Sequence, residues 1–391
     1  MKQSSEIRVL HYTPYEEDCG VAIYQKQYID AMKTMSTPNI SNTIFATSPL
    51  VYRLLKPVEQ QAVLKQLAQE LKDFDILHIQ HEFGLFIDDD FQEVFNVGKK
   101  SGKKVIVSIH LSPEFAIKPV RLKGLGVRSS VSYLLSMRNY NRLRDWHIKP
   151  LLQADLIIVH NEMTAEALKN FGIDSSRIKK IPLPAYSYPN PQPSDLIAKQ
   201  LNKKPGDIIY CSVGILHRYK GLFDSIKALK FLPENYKLAI IGGMHPISDE
   251  VQIYNKVCDL IDILGLKDRV YITGFVKDDN VMNSYIRECD VCVFPYDGVY
   301  YAHVSSGATS LALSNSLPII TYPTRVFQEL SESSNGAIVL TDTFAYYELA
   351  RELMRIDLKK QVELSKAFAQ KMSWPKATQK LADLYTEVLK S

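Results

Sequence analysis

"CSVGILHRYKGLFDSIKAL", Cys211 to Leu229, contains one complete passage from strand to helix. An apolar run ends at Val213, a loop follows with Gly214, Arg218 and Lys220, and after Gly221 the residues Leu222, Ile226 and Leu229 recur at helical spacing. Strands that feed directly into amphipathic helices are the building units of parallel α/β sheets. In such sheets ligands sit beyond the carboxyl ends of the strands, which is where this loop places its two cations. Fixed cations there suit a leaving diphosphate, whose oxygens gain charge as the bond to it breaks. A solvated basic turn is the other reading of the same residues.

Outward from this unit the alternation continues in two series. "IRVLHY", "DILHIQ", "VIVSIH" and "DLIIVH" form the first; "DIIYCSV", "KLAIIGG", "RVYITGF", "VCVFPY" and "LPIITY" form the second. Between them "PLPAYSYPNPQPSD" has five prolines in fourteen residues and no apolar period, the signature of a linker. A chain of 391 residues also suits two domains of roughly 100 to 200 residues each. The pattern predicts two doubly wound parallel-sheet domains, 1–188 and 189–372, facing a central cleft. A helix at 373–391, after "MSW", is expected to return onto the first domain.

Several classes are disfavoured. With 46% hydrophobic and 23% charged residues the composition is that of a soluble globular protein. No apolar run approaches the ~20 residues of a membrane span, and the start lacks a signal-peptide pattern, so a cytoplasmic location is expected. Five cysteines lack paired spacing; Cys289 and Cys292 are expected to be buried thiols, not metal ligands. His78 and His81 stand three apart in a strand and so point to opposite faces, which argues against a metal pair. Asp88 to Asp90 reads as an acidic helix start. "TPYEEDCGVAIYQ" after the first strand has a single glycine where a dinucleotide fingerprint needs three, which weakens a nicotinamide-dependent reading. No metal, no separate cofactor and no nucleic-acid partner are expected.

Candidate functional residues follow from the strand ends: Tyr15 to Gly20, His81 and Glu82, His110, Gly214 to Lys220, Gly274 to Val276, and Asp297 to Gly307. His110 can bond a sugar hydroxyl or simply cap its strand. "HVSSGATSLALSNSLPII", His303 to Ile320, starts a helix with small polar residues whose N–H groups can seat an anion. An ordinary serine cap is the alternative there.

Together "DCGVAIYQKQYIDAM", "HIQHEFGLF", "SIH", "GILHRYKG", "IGGMHP", "LGLKDRVYITGFV", "CDVCVFPY" and "VSSGATSLALSNSLPIIT" resemble, in order and spacing, the retaining GT-B glycosyltransferases of family four, most closely a mannosyltransferase-like subgroup. The resemblance covers nearly the whole chain. It implies that Lys220 and Arg218 stabilise the diphosphate of a sugar nucleotide, that Ser305, Ser306, Gly307, Ala308 and Thr309 surround it at a helix start, and that Gly20 and Gly214 let backbone approach it. His110 would lie near the transferred sugar, Phe275 and Val276 near base and ribose, and His81 and Glu82 on the acceptor side. Two departures stand out: the family's paired glutamates are His303 and Leu311 here, and the arginine expected right after Gly214 is Ile215. His303 is a candidate donor contact in place of the first glutamate.

The resemblance implies hexose transfer from a nucleoside-diphosphate sugar, UDP- or GDP-linked, to a glycan or glycolipid in cell-surface polysaccharide biosynthesis. The missing glutamates keep a non-catalytic accessory subunit open as the alternative. The net charge is only +4, but residues 118–149 hold eight Lys or Arg against one Asp. In that segment Tyr133, Met137 and Tyr140 recur at helical spacing with Trp146 close by. It reads either as an interfacial helix for anionic membrane at the inner face, or as a basic helix whose apolar face packs on its own domain.

Overall fold

The computed structural model describes residues 6–35, 39–118, 127–186, 192–244, 251–299 and 304–391. The chain divides into two compact units, Met1–Pro182 with Trp374–Ser391, and Leu183–Ser373.

In the first unit six parallel strands, β1 (Ile7–Tyr12), β2 (Ile40–Ile44), β3 (Ile76–His81), β4 (Lys104–Ile109), β5 (Leu156–Val159) and β6 (Ile178–Lys180), lie in the order β2-β1-β3-β4-β5-β6. Its helices of eight or more residues are α1 (Gly20–Lys33), α2 (Pro57–Glu70), α3 (Asp90–Lys100), α4 (Val127–Leu143) and α5 (Glu162–Asn170), with a last helix supplied by the C-terminus. The central strands are covered on both faces, which is why they read as nearly unbroken apolar runs. The edge strands "ISNTI" and "IKK" are only partly buried and carry polar residues, so periodicity does not reveal them.

The second unit contains β7 (Ile208–Val213), β8 (Tyr236–Ile241), β9 (Val270–Ile272), β10 (Val291–Phe294), β11 (Ile319–Thr321) and β12 (Ile338–Leu340), all parallel, in the order β12-β11-β10-β7-β8-β9. Its helices are α6 (Leu222–Leu229), α7 (Val251–Ile263), α8 (Asp279–Arg287), α9 (Gly307–Ser314), α10 (Arg325–Ser333), α11 (Tyr346–Arg355) and α12 (Leu358–Lys371). Chain direction across this sheet reverses between β7 and β10, so the crevice suited to a ligand opens where those two strands end. Cys211 and Cys292 are register partners on these strands, reduced and buried with their sulfurs 3.1 Å apart, and Cys289 is buried as well.

The C-terminal helix α13 (Trp374–Lys390) belongs to the first unit, against α1. The Tyr385 hydroxyl ties it in, lying 3.1 Å from the Tyr28 hydroxyl and 2.6 Å from His78 Nδ1.

Candidate functional site

The loop after β7 turns sharply. Gly221 adopts φ 66°, and a Cβ there would collide with the carbonyl of Pro295 at the end of β10, so only glycine lets the loop pass. The turn carries Lys220 back toward the sheet. Its Nζ donates to the Tyr296 hydroxyl at 3.1 Å and stands 4.8 Å from the centre of that ring. Burial withdraws solvent from the ammonium and pulls its pKa down from 10.5 to about 8. Arg218, two residues earlier, is exposed.

From Tyr296 the chain of polar contacts continues to the Ser306 hydroxyl, 3.1 Å away. Ser306 is the N-cap of α9 and is buried; the first turn of that helix holds no acidic residue. Thr309, one turn in, is buried with its hydroxyl lacking a hydrogen-bond partner among the described residues. Gly307 and Ala308 complete the turn, and a Cβ on Gly307 would stand 3.1 Å from the Tyr186 hydroxyl. Tyr186 is itself buried, with its backbone N–H directed at the Ser310 carbonyl at 3.4 Å. Burial, reinforced by Asp279, pushes its hydroxyl pKa well up, so Tyr186 is a neutral hydroxyl beside the helix start. A half-desolvated cation, two hydroxyls in line and an uncompensated helix N-terminus can together neutralise an anion.

The ends of β7, β8 and β9 are packed backbone to backbone. A Cβ on Gly242 would collide with the Gly214 carbonyl, and one on Gly243 with the backbone N of Phe275. Glycines thus bring Gly214 and Phe275 to one edge, where the Phe275 ring is exposed and Val276 partly so. A cavity of about 860 Å³ opens at the β7/β10 crevice, lined by Arg218, Gly221 and Asp297 and walled by Phe223, Tyr322 and Phe344. Its volume is in the range of small-ligand sites. His303 lies outside the described residues, and Leu311 is buried in α9.

In the first unit Gly20 opens α1, capped by the Cys19 sulfur, which accepts from Ala22 N at 3.4 Å. A Cβ on Gly20 would meet nothing within 4 Å, so packing does not demand the glycine. His110, at the end of β4, is partly buried: Nε2 donates to Gln80 Oε1 at 2.7 Å, and the ring packs on Tyr24 and His160. Burial lowers its pKa well below 6.5, so it is a neutral imidazole. Glu82 is partly buried, and burial raises its carboxyl pKa.

His81 does not reach a ligand surface. It is completely buried among Phe83, Phe86 and Phe91, with Nε2 3.0 Å from His147 Nδ1, so the acceptor-side expectation gives way to a core histidine. His78 is equally buried, and no group of three or more His, Cys, Asp or Glu among the described residues is placed to hold a metal. Asp89 stands at the N-cap position of α3 without a side-chain capping bond, and the Asp90 carboxylate accepts from Ile87 N at 3.2 Å, a structural helix start.

Sequence reasoning missed Tyr296 and Tyr186. Tyr296 ends "VCVFPY" at a strand's carboxyl end, a signal of position; Tyr186 sits in the proline-rich segment and carries none.

Residues 193–371, a stretch lying within the second unit, match the family model described as Glycosyl transferases group 1. No curated protein sequence matches the chain significantly. Among solved structures, HepE of Anabaena in complex with UDP aligns over 98% of this chain and all of its own, with TM-score 0.70 and 15% identity. A glycosyltransferase of Rickettsia africae aligns over 99% of this chain and 100% of its own, at TM-score 0.69 and 14% identity. Sucrose-phosphate synthase of Thermosynechococcus elongatus covers 98% of this chain and 99% of its own at 0.65 and 17%. The fold is therefore GT-B.

Proposed function

We propose that the protein is a retaining glycosyltransferase that moves a hexose from a nucleoside-diphosphate sugar to a hydroxyl of a glycan or glycolipid in cell-surface polysaccharide biosynthesis. The observation that carries this reading is the contact chain Lys220, Tyr296, Ser306, which joins the basic loop to the open start of α9 at the sheet's switch point. The match to group 1 glycosyltransferases and the likeness to a UDP complex support it.

In this reading the bond from the anomeric carbon to the diphosphate breaks, and the electron pair leaves with the phosphate oxygen. The acceptor oxygen bonds the carbon on the face being vacated, and its proton passes to the departing diphosphate. Lys220 and the N–H groups of Gly307 and Ala308 stabilise the charge as it develops, with the Thr309 hydroxyl and, from the loop, Arg218 assisting; the Thr309 N–H itself donates to the Ser306 carbonyl at 3.1 Å. These groups replace a divalent ion, so transfer proceeds without metal. Phe275 and Val276 hold the base edge, and His110, a neutral imidazole, positions a sugar hydroxyl. Glu82, partly buried at the end of β3, is kept as an acceptor-side residue. Leu311 is apolar and buried, so the ribose grip usual in the family is absent from this position.

Leu311 also favours a second reading, a non-catalytic GT-B accessory subunit of a partner glycosyltransferase. A panel of UDP, GDP and ADP sugars, assayed for diphosphate release in EDTA with acceptor glycans, separates the two. Turnover with one donor, and product of the donor's anomeric configuration by proton NMR, is the expected result. Tight nucleotide binding without turnover on any donor would favour the accessory subunit. Among the described residues no helix is long and apolar enough to cross a membrane. A cytoplasmic location is part of the proposal.

A further inference from the structure

Helix α4 has two unlike faces. Tyr140 and Leu143 pack against the core of the first unit and seat its C-terminal half, as the self-packing alternative expects. On the other side Val131, Leu134 and Leu135 are 50%, 63% and 62% exposed. These three share a face with Val127, 82% exposed, and one and two turns further on the same face carries Arg138 and Arg142, both exposed. The Arg142 guanidinium lies over the Trp146 ring at 4.4 Å and 3.3 Å from Asp88. The exposed apolar set is thus not the Tyr133, Met137, Tyr140 set that spacing suggests, because Tyr140 is spent on the core.

We propose that this face of α4 docks the first unit onto the surface of an anionic lipid bilayer. At ~1.5 Å per residue the helix is too short to span, and its arginines forbid that; it is suited to lie in the interface with valines and leucines among acyl chains. Residues 118–149 carry eight basic residues against one acidic, which complements an anionic surface. The same excess opposes a second copy of this chain, since self-association would bring two such segments together. Placement at a membrane would present a glycolipid acceptor, but docking itself is independent of the transfer reaction and is measured without it.

The test is flotation of the full-length protein with phosphatidylcholine vesicles, with and without about a third phosphatidylglycerol. Retention on anionic vesicles is expected to exceed that on neutral ones by about tenfold or more, and to fall as salt rises from ~0.1 to ~0.5 M. Leu134→Ser with Leu135→Ser should cut retention about tenfold or more, with circular dichroism and melting unchanged. If that pair impairs folding, Arg138→Glu alone, at an exposed position, should still weaken retention. The proposal is overturned by failure of anionic vesicles to retain the protein, by retention indifferent to these substitutions, or by a concentration-dependent dimer in sedimentation that the leucine substitutions dissolve.

Discussion

Lys220→Met is expected to make the ligand-free protein more stable while destroying its activity. The ammonium sits where burial moves its pKa from 10.5 to about 8. At ~1.4 kcal/mol per unit that displacement corresponds to about 3 kcal/mol held against the folded state at neutral pH. The bond to Tyr296 and the approach to its ring offset part of this, on the order of 1–2 kcal/mol. Methionine keeps the length and removes the charge, and Tyr296 retains its contact with Ser306. A net gain of roughly 1–2 kcal/mol follows, or about 2–8 °C in the melting of a unit this size. The sign with pH is definite. Between the folded pKa and 10.5 the unfolded chain binds more protons, so wild-type stability rises as pH climbs through that window and the advantage of methionine shrinks. Urea midpoints of both proteins at about pH 7.5 and about pH 9.5 measure this directly. Turnover should fall about a hundred- to thousandfold, as for loss of one transition-state charge partner. A methionine variant less stable than wild type near neutrality, or a difference that does not narrow with pH, would refute the reasoning.

Tyr296→Phe breaks the chain to Ser306 while keeping the ring; donor affinity should drop about fivefold to tenfold by calorimetry, with the fold intact by circular dichroism. Gly221→Ala forces a methyl into the Pro295 carbonyl at a positive φ, and should cost roughly 2 kcal/mol or more in a urea melt. In the first unit burial holds His11, His147 and His160 at about 4. The unfolded chain takes up their protons near pH 6.5, so stability is lost as pH falls from there toward 4, by roughly 3 kcal/mol per histidine at most. Hydrogen exchange should show β1, β3 and β5 opening in mild acid, and protection unchanged down to pH 4 would contradict this burial effect.

The central strands were legible because parallel strands buried on both faces must be apolar throughout, as in "VIVSIH" and "KLAIIGG". Strands β2 and β6 were not, since an edge strand satisfies its hydrogen bonds on one side and tolerates Asn42, Thr43 and Lys179. Lys220 and Ser306 could be chosen from their place after strands, but Tyr296 joins them through a contact between residues 76 positions apart, which no local pattern encodes. His81 shows the converse. A histidine at a strand end looks functional, yet alternation sends it into an aromatic core that only the packing of α3 and the segment after α4 reveals.

Calorimetric titration of UDP, GDP and ADP into the protein in EDTA, beside Lys220→Ala, tests most directly whether the second sheet's edge is a metal-free diphosphate seat. One nucleotide should bind with a micromolar dissociation constant, about a hundredfold weaker in the variant. Equal affinity in both proteins, or binding only after magnesium or manganese is restored, would contradict it.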